Sequence, residues 1–236
     1  MNIQSAHILL KGIPRPIYNI TPFTLLDYPD KTACIIWFAG CNMRCGYCYN
    51  PEIVRGKGKL NINQALEFIY SRRKLLDGIV FSGGECTLHP ELYPLIKTCK
   101  KLGFKVKLDT NGSLPKRLKP LLDEGLIDYV AMDFKALPDQ YKKITGSNLY
   151  QEFEQSLHLL QKTGIDFEIR TTVHSKLIAH DSLKKMVNHL EMLDYKGNYY
   201  IQPFLNNTPT LVPLPKSKGI QNLSSLSTSK INVVLR

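Results

Sequence analysis

Six short runs rich in β-branched and aromatic residues recur along this chain, at 32–38, 78–82, 104–110, 129–134, 167–173 and 199–204. Each is too apolar for a sheet with one wet face. Helix-like segments lie between them, near 62–75, 91–102, 115–124, 150–163 and 181–193. In the first, Ala65, Ile69 and Leu76 fall near one stripe, with Arg72 and Arg73 off it. Gly103, Gly125 and Gly164 stand where helices would end. Such alternation calls for a parallel sheet with right-handed crossovers. A closed barrel of eight units takes about 250 residues, whereas 33–203 holds six strands and five intervening helices. The expected fold is therefore α/β, a partial (β/α)6 TIM-like barrel in a single domain. The expected layout is an N-terminal extension over 1–31, the barrel over 32–204, and an irregular tail over 205–236. That tail carries Pro209, Pro213, Pro215 and a Ser-rich stretch, then a short final strand in INVVLR.

The residues just past each strand narrow the function. After the first comes AGCNMRCGYC, after the second SGGEC, after the third DTNG, and the fourth ends in MDFK. The fifth carries Arg170 and His174, and the sixth carries Gln202. Polar, glycine-rich and metal-type residues thus gather at the C-terminal ends of the strands, where parallel barrels build their active sites. Taken singly, the motifs also have plain readings. Gly83 and Gly84 make a tight turn, or let backbone approach a ligand while Glu85 accepts from an ammonium group. Asp109 and Asn111 belong to an Asn-Gly turn, or face ribose hydroxyls. Asp133 and Lys135 form a solvated pair, or serve an ion or a carboxylate. Arg170 on an inward-facing strand is costly to bury unpaired, and an anionic ligand would resolve that cost. His174 reads equally well as an ordinary loop histidine.

Cys41, Cys45 and Cys48 crowd into one short stretch. Their spacing is compatible with one buried helical face, but Gly40, Gly46 and the Asn50-Pro51 turn pair favour a loop. A structural zinc takes four ligands, as does a cubane iron–sulfur cluster held by protein alone. Cys34 falls inside the first strand, and Cys86 and Cys99 are isolated. Three thiolates with an open position therefore favour an open-cornered cluster over closed zinc.

Composition sets the outer limits. The 236 residues are 43% hydrophobic and 22% charged, which is ordinary for one globular domain. No run reaches the length of a membrane span, and the N-terminus lacks the marks of a secretion signal, so a cytoplasmic location is expected. In that compartment the six cysteines are metal ligands or free thiols. The net charge of +11 comes from scattered lysines and arginines. It reads as a solvated surface open to an acidic protein partner, with no nucleic-acid partner and no membrane.

CNMRCGYC resembles the CxxxCxΦC signature of the radical S-adenosylmethionine superfamily, with Tyr47 at the aromatic position. The GGE that comes later and the six-unit partial barrel agree with it. More narrowly, ITPFTLLDYPDKTACIIWFAGCNMRCGYCYNPEIV is similar to activating enzymes of anaerobic ribonucleoside-triphosphate reductase. The resemblance implies that Cys41, Cys45 and Cys48 hold three irons of a [4Fe-4S] cluster. The amino and carboxylate groups of S-adenosyl-L-methionine would then chelate the fourth iron. By the same resemblance Tyr47 supports the adenine, Gly83, Gly84 and Glu85 bind the methionine amino group, and Asp109 and Asn111 lie near the ribose. Arg170 would face the methionine carboxylate, and Asp133 resembles a residue of a monovalent-cation site, with Lys135 beside it. The implied activity is reductive cleavage of S-adenosylmethionine and formation of a glycyl radical on a large partner enzyme, with a flavodoxin or ferredoxin as electron donor. The sequence departs from the pattern at Cys86, which stands where a proline is common after GGE. A small-molecule enzyme on the same short barrel, such as a 7-carboxy-7-deazaguanine synthase, and a non-enzymatic zinc or iron–sulfur module are the rival readings.

Overall fold

The computed structural model describes residues 14–220 and 223–236, so residues 1–13 of the expected N-terminal extension lie outside the described residues. Among the described residues, eight strands form one sheet in sequence order: β1 (Ile17–Thr24), β2 (Ala33–Phe38), β3 (Gly78–Gly83), β4 (Lys105–Thr110), β5 (Tyr129–Asp133), β6 (Asp166–Val173), β7 (Gly197–Pro203) and β8 (Ile231–Leu235). From β2 to β8 all neighbours are parallel, and only β1 runs antiparallel, against β2. No ladder joins β8 to β1 among the described residues, so the curled sheet is open on one side. The helices are α1 (Pro51–Arg55), α2 (Ile62–Ser71), α3 (Leu92–Lys101), α4 (Pro115–Asp123), α5 (Pro138–Thr145), α6 (Tyr150–Thr163) and α7 (His180–Met192).

The six strands expected from their apolar runs are β2 to β7. β1 instead lies in the stretch read as an extension. Its sequence, IYNITPFT, is only partly buried and contains Pro22, which an edge strand tolerates and a central strand does not. α1 and α5 also escape a pattern search, because helices of five and eight residues are too short to establish a period. Pro51, read as part of a turn, is also the first residue of α1, where its missing N–H costs nothing. α2 stops at Ser71, short of the expected end. Its start is held by a capping box between Asn61 and Gln64, and Ala65 and Ile69 form its buried stripe. Gly103, Gly125 and Gly164 all take positive φ, which explains why glycine ends those helices.

Alternation along the strands divides two cores. Cys34, Ile36, Phe38, Ile79, Phe81, Val106 and Leu108 belong to the large core shared with the helices. The opposite face of the same strands carries Ala33, Ile35 and Val80, packed with Tyr28, Trp37 and Tyr129 into a small inner cluster. The upper part of that inner face is polar, and the site is built there. The large core supplies the stability. Phe81 is fully buried, with its ring 6.4 Å from that of Phe38. Phe81→Ala is expected to lower unfolding stability by about 3–5 kcal/mol in a urea titration, the usual cost of emptying such a site.

Candidate active site at the C-terminal rim of the sheet

The parallel strands deliver their C-terminal ends to one rim, around a cavity of about 250 Å³. Cys41, Cys45, Cys48 and Tyr47 line it from the loop after β2, and Gly83 and Gly84 from the end of β3. Asp109 and Asn111 enter from β4, Asp133 and Lys135 from β5, Arg170 from β6 and Gln202 from β7. Residues from six separate strands thus meet at one place. Glu85, Cys86 and His174 are not part of the lining.

Residues 39–49 are irregular, so the cysteines do not share a helical face. The loop they occupy is pressed against the end of β3. Phe38 pairs with Gly83 in the parallel ladder. A Cβ on Gly83, which sits at φ +131°, would lie 2.2 Å from the Phe38 carbonyl oxygen, and one on Gly84 would lie 2.0 Å from that of Gly40. Only glycine fits at either position. The contact is bonded as well as tight. Gly84 N–H donates to Phe38 O at 3.0 Å, and Glu85 N–H to Gly40 O at 2.9 Å. The His89 ring nitrogen Nε2 meets Ala39 O at 2.7 Å, and Arg44 N–H donates to Thr145 O at 2.7 Å.

Burial governs the chemistry of the thiols. It pushes Cys41 up to about 12 and raises Cys45 as well. As free thiols these two keep their protons, and their thiolates are stable only with a metal or cation to carry the charge. Cys34, Cys86 and Cys99 are buried in the large core instead. The cavity therefore offers three thiols and no fourth. Tyr47 is almost fully buried, and its hydroxyl has no hydrogen-bond partner of good geometry.

Below the thiols runs a ladder of buried charges. Lys107 pairs with Asp109 Oδ1. Arg170 reaches Asp109 Oδ2 at 3.3 Å and, through Nε, Asp133 Oδ1 at 2.6 Å. Lys135 Nζ lies 3.0 Å from Asp133 Oδ2. Burial alone would raise the carboxyls and lower the cations. The mutual attraction outweighs it, led by Arg170 at both carboxylates and by Asp133 at Lys135. Asp133 is held down to about 2. Two protein carboxylates thus meet the cost of burying Arg170. Both oxygens of Asp133 are already engaged by protein cations, which leaves its expected place beside a bound cation to be reached only by displacing one of them.

Glu85 lies beneath the wall. Its Oε1 accepts from Thr87 N–H at 3.1 Å, from Thr87 Oγ1 at 2.5 Å and from Thr110 Oγ1 at 2.9 Å, and its Oε2 accepts from Asn111 N–H at 2.7 Å. Burial raises its pKa. It joins β3 to β4 from below, which differs from the expected contact with an ammonium group. Cys86 donates its thiol to the carbonyls of Phe81 and Asp109, a packing role. His174 is fully buried. Its Nδ1 accepts from Lys176 N–H, so Nε2 carries the proton and donates to Pro215 O at 2.8 Å.

That last bond belongs to a feature without a sequence signal. The tail read as irregular crosses the rim as a strap. Leu211 N–H donates to Cys48 O at 3.2 Å, Val212 N–H to Gly46 O at 3.1 Å, and Arg55 to Leu211 O at 3.0 Å. Leu211 itself lines the cavity. Thr172 and Ser82 line it too, and the two-residue spacing from Arg170 and Gly84 is the signal that would have found them.

Residues 35–193 match the Radical SAM superfamily. A protein of Methanocaldococcus jannaschii named for glycyl-radical enzyme activation is 30% identical, the match covering 93% of this chain and 95% of that one. The pyruvate formate-lyase-activating enzyme of Clostridium pasteurianum is 30% identical over 73% of this chain and 74% of its own. The 7-carboxy-7-deazaguanine synthase of Methanopyrus kandleri is 29% identical over 90% and 91%. Among solved structures, anSMEcpe with bound AdoMet superposes with a TM-score of 0.60, covering 78% of this chain and 52% of that one. At 21% identity that likeness speaks for the fold alone.

Two outcomes are expected. Gly84→Ala should lose bound iron on anaerobic reconstitution and cost about 1–3 kcal/mol in urea unfolding, because its methyl group collides with the loop backbone. Asp133, held near 2 against about 3.9 in the unfolded chain, contributes stability that is present above about pH 4 and lost as the pH falls through about 2. The parent protein should therefore lose more stability over that interval than Asp133→Asn, measured by urea midpoints.

Proposed function

We infer the function from the premise that this chain belongs to the radical SAM superfamily, whose members use a [4Fe-4S] cluster and S-adenosyl-L-methionine. It is an enzyme of that superfamily, related to glycyl-radical enzyme activating enzymes. In our reading, it generates a glycyl radical on an anaerobic ribonucleoside-triphosphate reductase. The observation that carries the chemistry is the set of three thiols, without a fourth, around a glycine-walled cavity at the strand ends.

The residues fit the group on this chain's own chemistry. Cys41, Cys45 and Cys48 would hold three irons, and the protons that burial keeps on Cys41 and Cys45 would leave as the metal binds. When bound, the cluster and S-adenosylmethionine supply reductive C–S cleavage, from which hydrogen abstraction begins. The carbonyl edges at Gly83 and Gly84 are the acceptors for the methionine amino group, while Glu85 supports the adjoining turn from below. Asp109 and Asn111 face the ribose side, Tyr47 backs the adenine, and Arg170 and Lys135 present positive charge to the methionine carboxylate. The strap and the buried ladder exclude water from the floor of the site.

The open side between β1 and β8 suits a substrate that is a loop of another protein. The segment leading into β2 supports the reductase as target, and a flavodoxin or ferredoxin supplies the electron. The deazaguanine synthase relative, which matches nearly the whole chain, keeps a small-molecule reading in play. One experiment separates them. Reduced protein, S-adenosylmethionine and the reductase are mixed without oxygen and followed by electron paramagnetic resonance. A glycyl radical doublet is expected, and Cys41→Ala should reduce S-adenosylmethionine cleavage at least a thousandfold, to background. An active cluster that gives no doublet, but turns over a pterin-like substrate with no protein partner, would overturn the activase reading.

A further inference from the structure

Asn111 makes contacts that a place beside the ribose does not require. Its side chain is buried, 4% exposed, and every polar atom on it has a partner. Oδ1 accepts from Ser113 N–H at 2.9 Å. Because a backbone N–H can only donate, this bond fixes which end of the amide is oxygen. Nδ2 must then face the other way. There it donates one hydrogen to Asn42 Oδ1 at 3.0 Å and directs the other at Cys41 Sγ, 3.9 Å away. Asn42 closes the ring by donating its own Nδ2 to Ser113 Oγ at 2.7 Å. The backbone below is anchored too, since Asn111 N–H donates to Glu85 Oε2. Cys41 Sγ also receives the Met43 N–H at 3.4 Å. Two N–H donors therefore converge on one sulfur, one of them an amide fixed by the Ser113 backbone N–H and the Asn42 side chain.

We propose that Asn111 is a positioning residue that raises the reduction potential of the cluster by donating its side-chain amide hydrogen to the Cys41 thiolate, with Asn42 and Ser113 setting its direction. This rests on the reading that Cys41 ligates the cluster. The physical ground is charge. Reduction adds an electron that is shared by the sulfurs, so a donor at sulfur stabilises the reduced form more than the oxidised one. The same ring ties Asn42, inside the cysteine loop, to the end of β4, so loop position and potential are set by one group of side chains. A residue that merely faced the ribose would alter cofactor affinity and leave the potential of the cofactor-free cluster where it was.

The test is a potentiometric titration of the reconstituted protein without S-adenosylmethionine, followed by electron paramagnetic resonance. Iron and sulfide are measured first. A parent protein that fails to take up about four of each removes the cluster reading, and this proposal with it. With the cluster loaded, Asn111→Leu is expected to lower the midpoint by the equivalent of about a tenfold change in a one-electron equilibrium, about 59 mV. Asn111→Asp keeps the acceptor for Ser113, so the turn is preserved, and replaces the donor by a carboxylate. It should shift at least as far in the same direction, and it serves as the readout if the leucine variant does not fold. Parent potential in either loaded variant overturns the proposal.

Discussion

The contact on which the site depends is the one between two stretches of backbone. At the ends of β2 and β3 the chains approach so closely that no Cβ fits at Gly83 or Gly84. Parallel pairing brings these ends to the same height, and the glycines let the cysteine loop rest directly on the neighbouring strand. Without that approach the thiols would sit on an unsupported loop. With it, Gly40 and Phe38 are hydrogen-bonded to Glu85 and Gly84, and the loop inherits the rigidity of the sheet. Glu85 continues the support to β4 through Thr110 and Asn111.

The inner face of the sheet shows a second constraint. Lys107, Asp109, Arg170, Asp133 and Lys135 alternate in sign beneath the cavity. Each charge would be costly alone in that position, and each is met by at least one of opposite sign. The ladder leaves a polar floor under an apolar sheet while the helices keep their own core on the other face. The two faces do different work: one holds the fold together, and the other holds charge at the cavity.

The six parallel strands, most of the helices and the grouping of Cys41, Cys45 and Cys48 at one strand end were legible because each depends on local pattern. Apolar runs mark buried parallel strands, and three cysteines in one loop place three thiols together whatever surrounds them. The gathering of Asp109, Asp133, Arg170 and Gln202 was legible as well, since the ends of parallel strands must share a rim. β1 was not, because an edge strand with one wet side loses the apolar signature. The strap over 205–218 was not, because its bonds to Gly46, Cys48 and His174 obey no period and join residues far apart in sequence.

Residue identity by itself determined that this chain is a parallel α/β protein with three thiols at a strand end. It also determined that glycine and acidic residues would lie beside them. Only the tertiary structure decided which of those side chains face the cavity. Glu85 turns beneath the wall because four donors from the end of β4 and its own turn are in reach, and Arg170 is neutralised by two carboxylates, one from β4 and one from β5. Spacing along a strand tells which side a residue points to, but the partner that claims it comes from another strand, and that choice is made by packing.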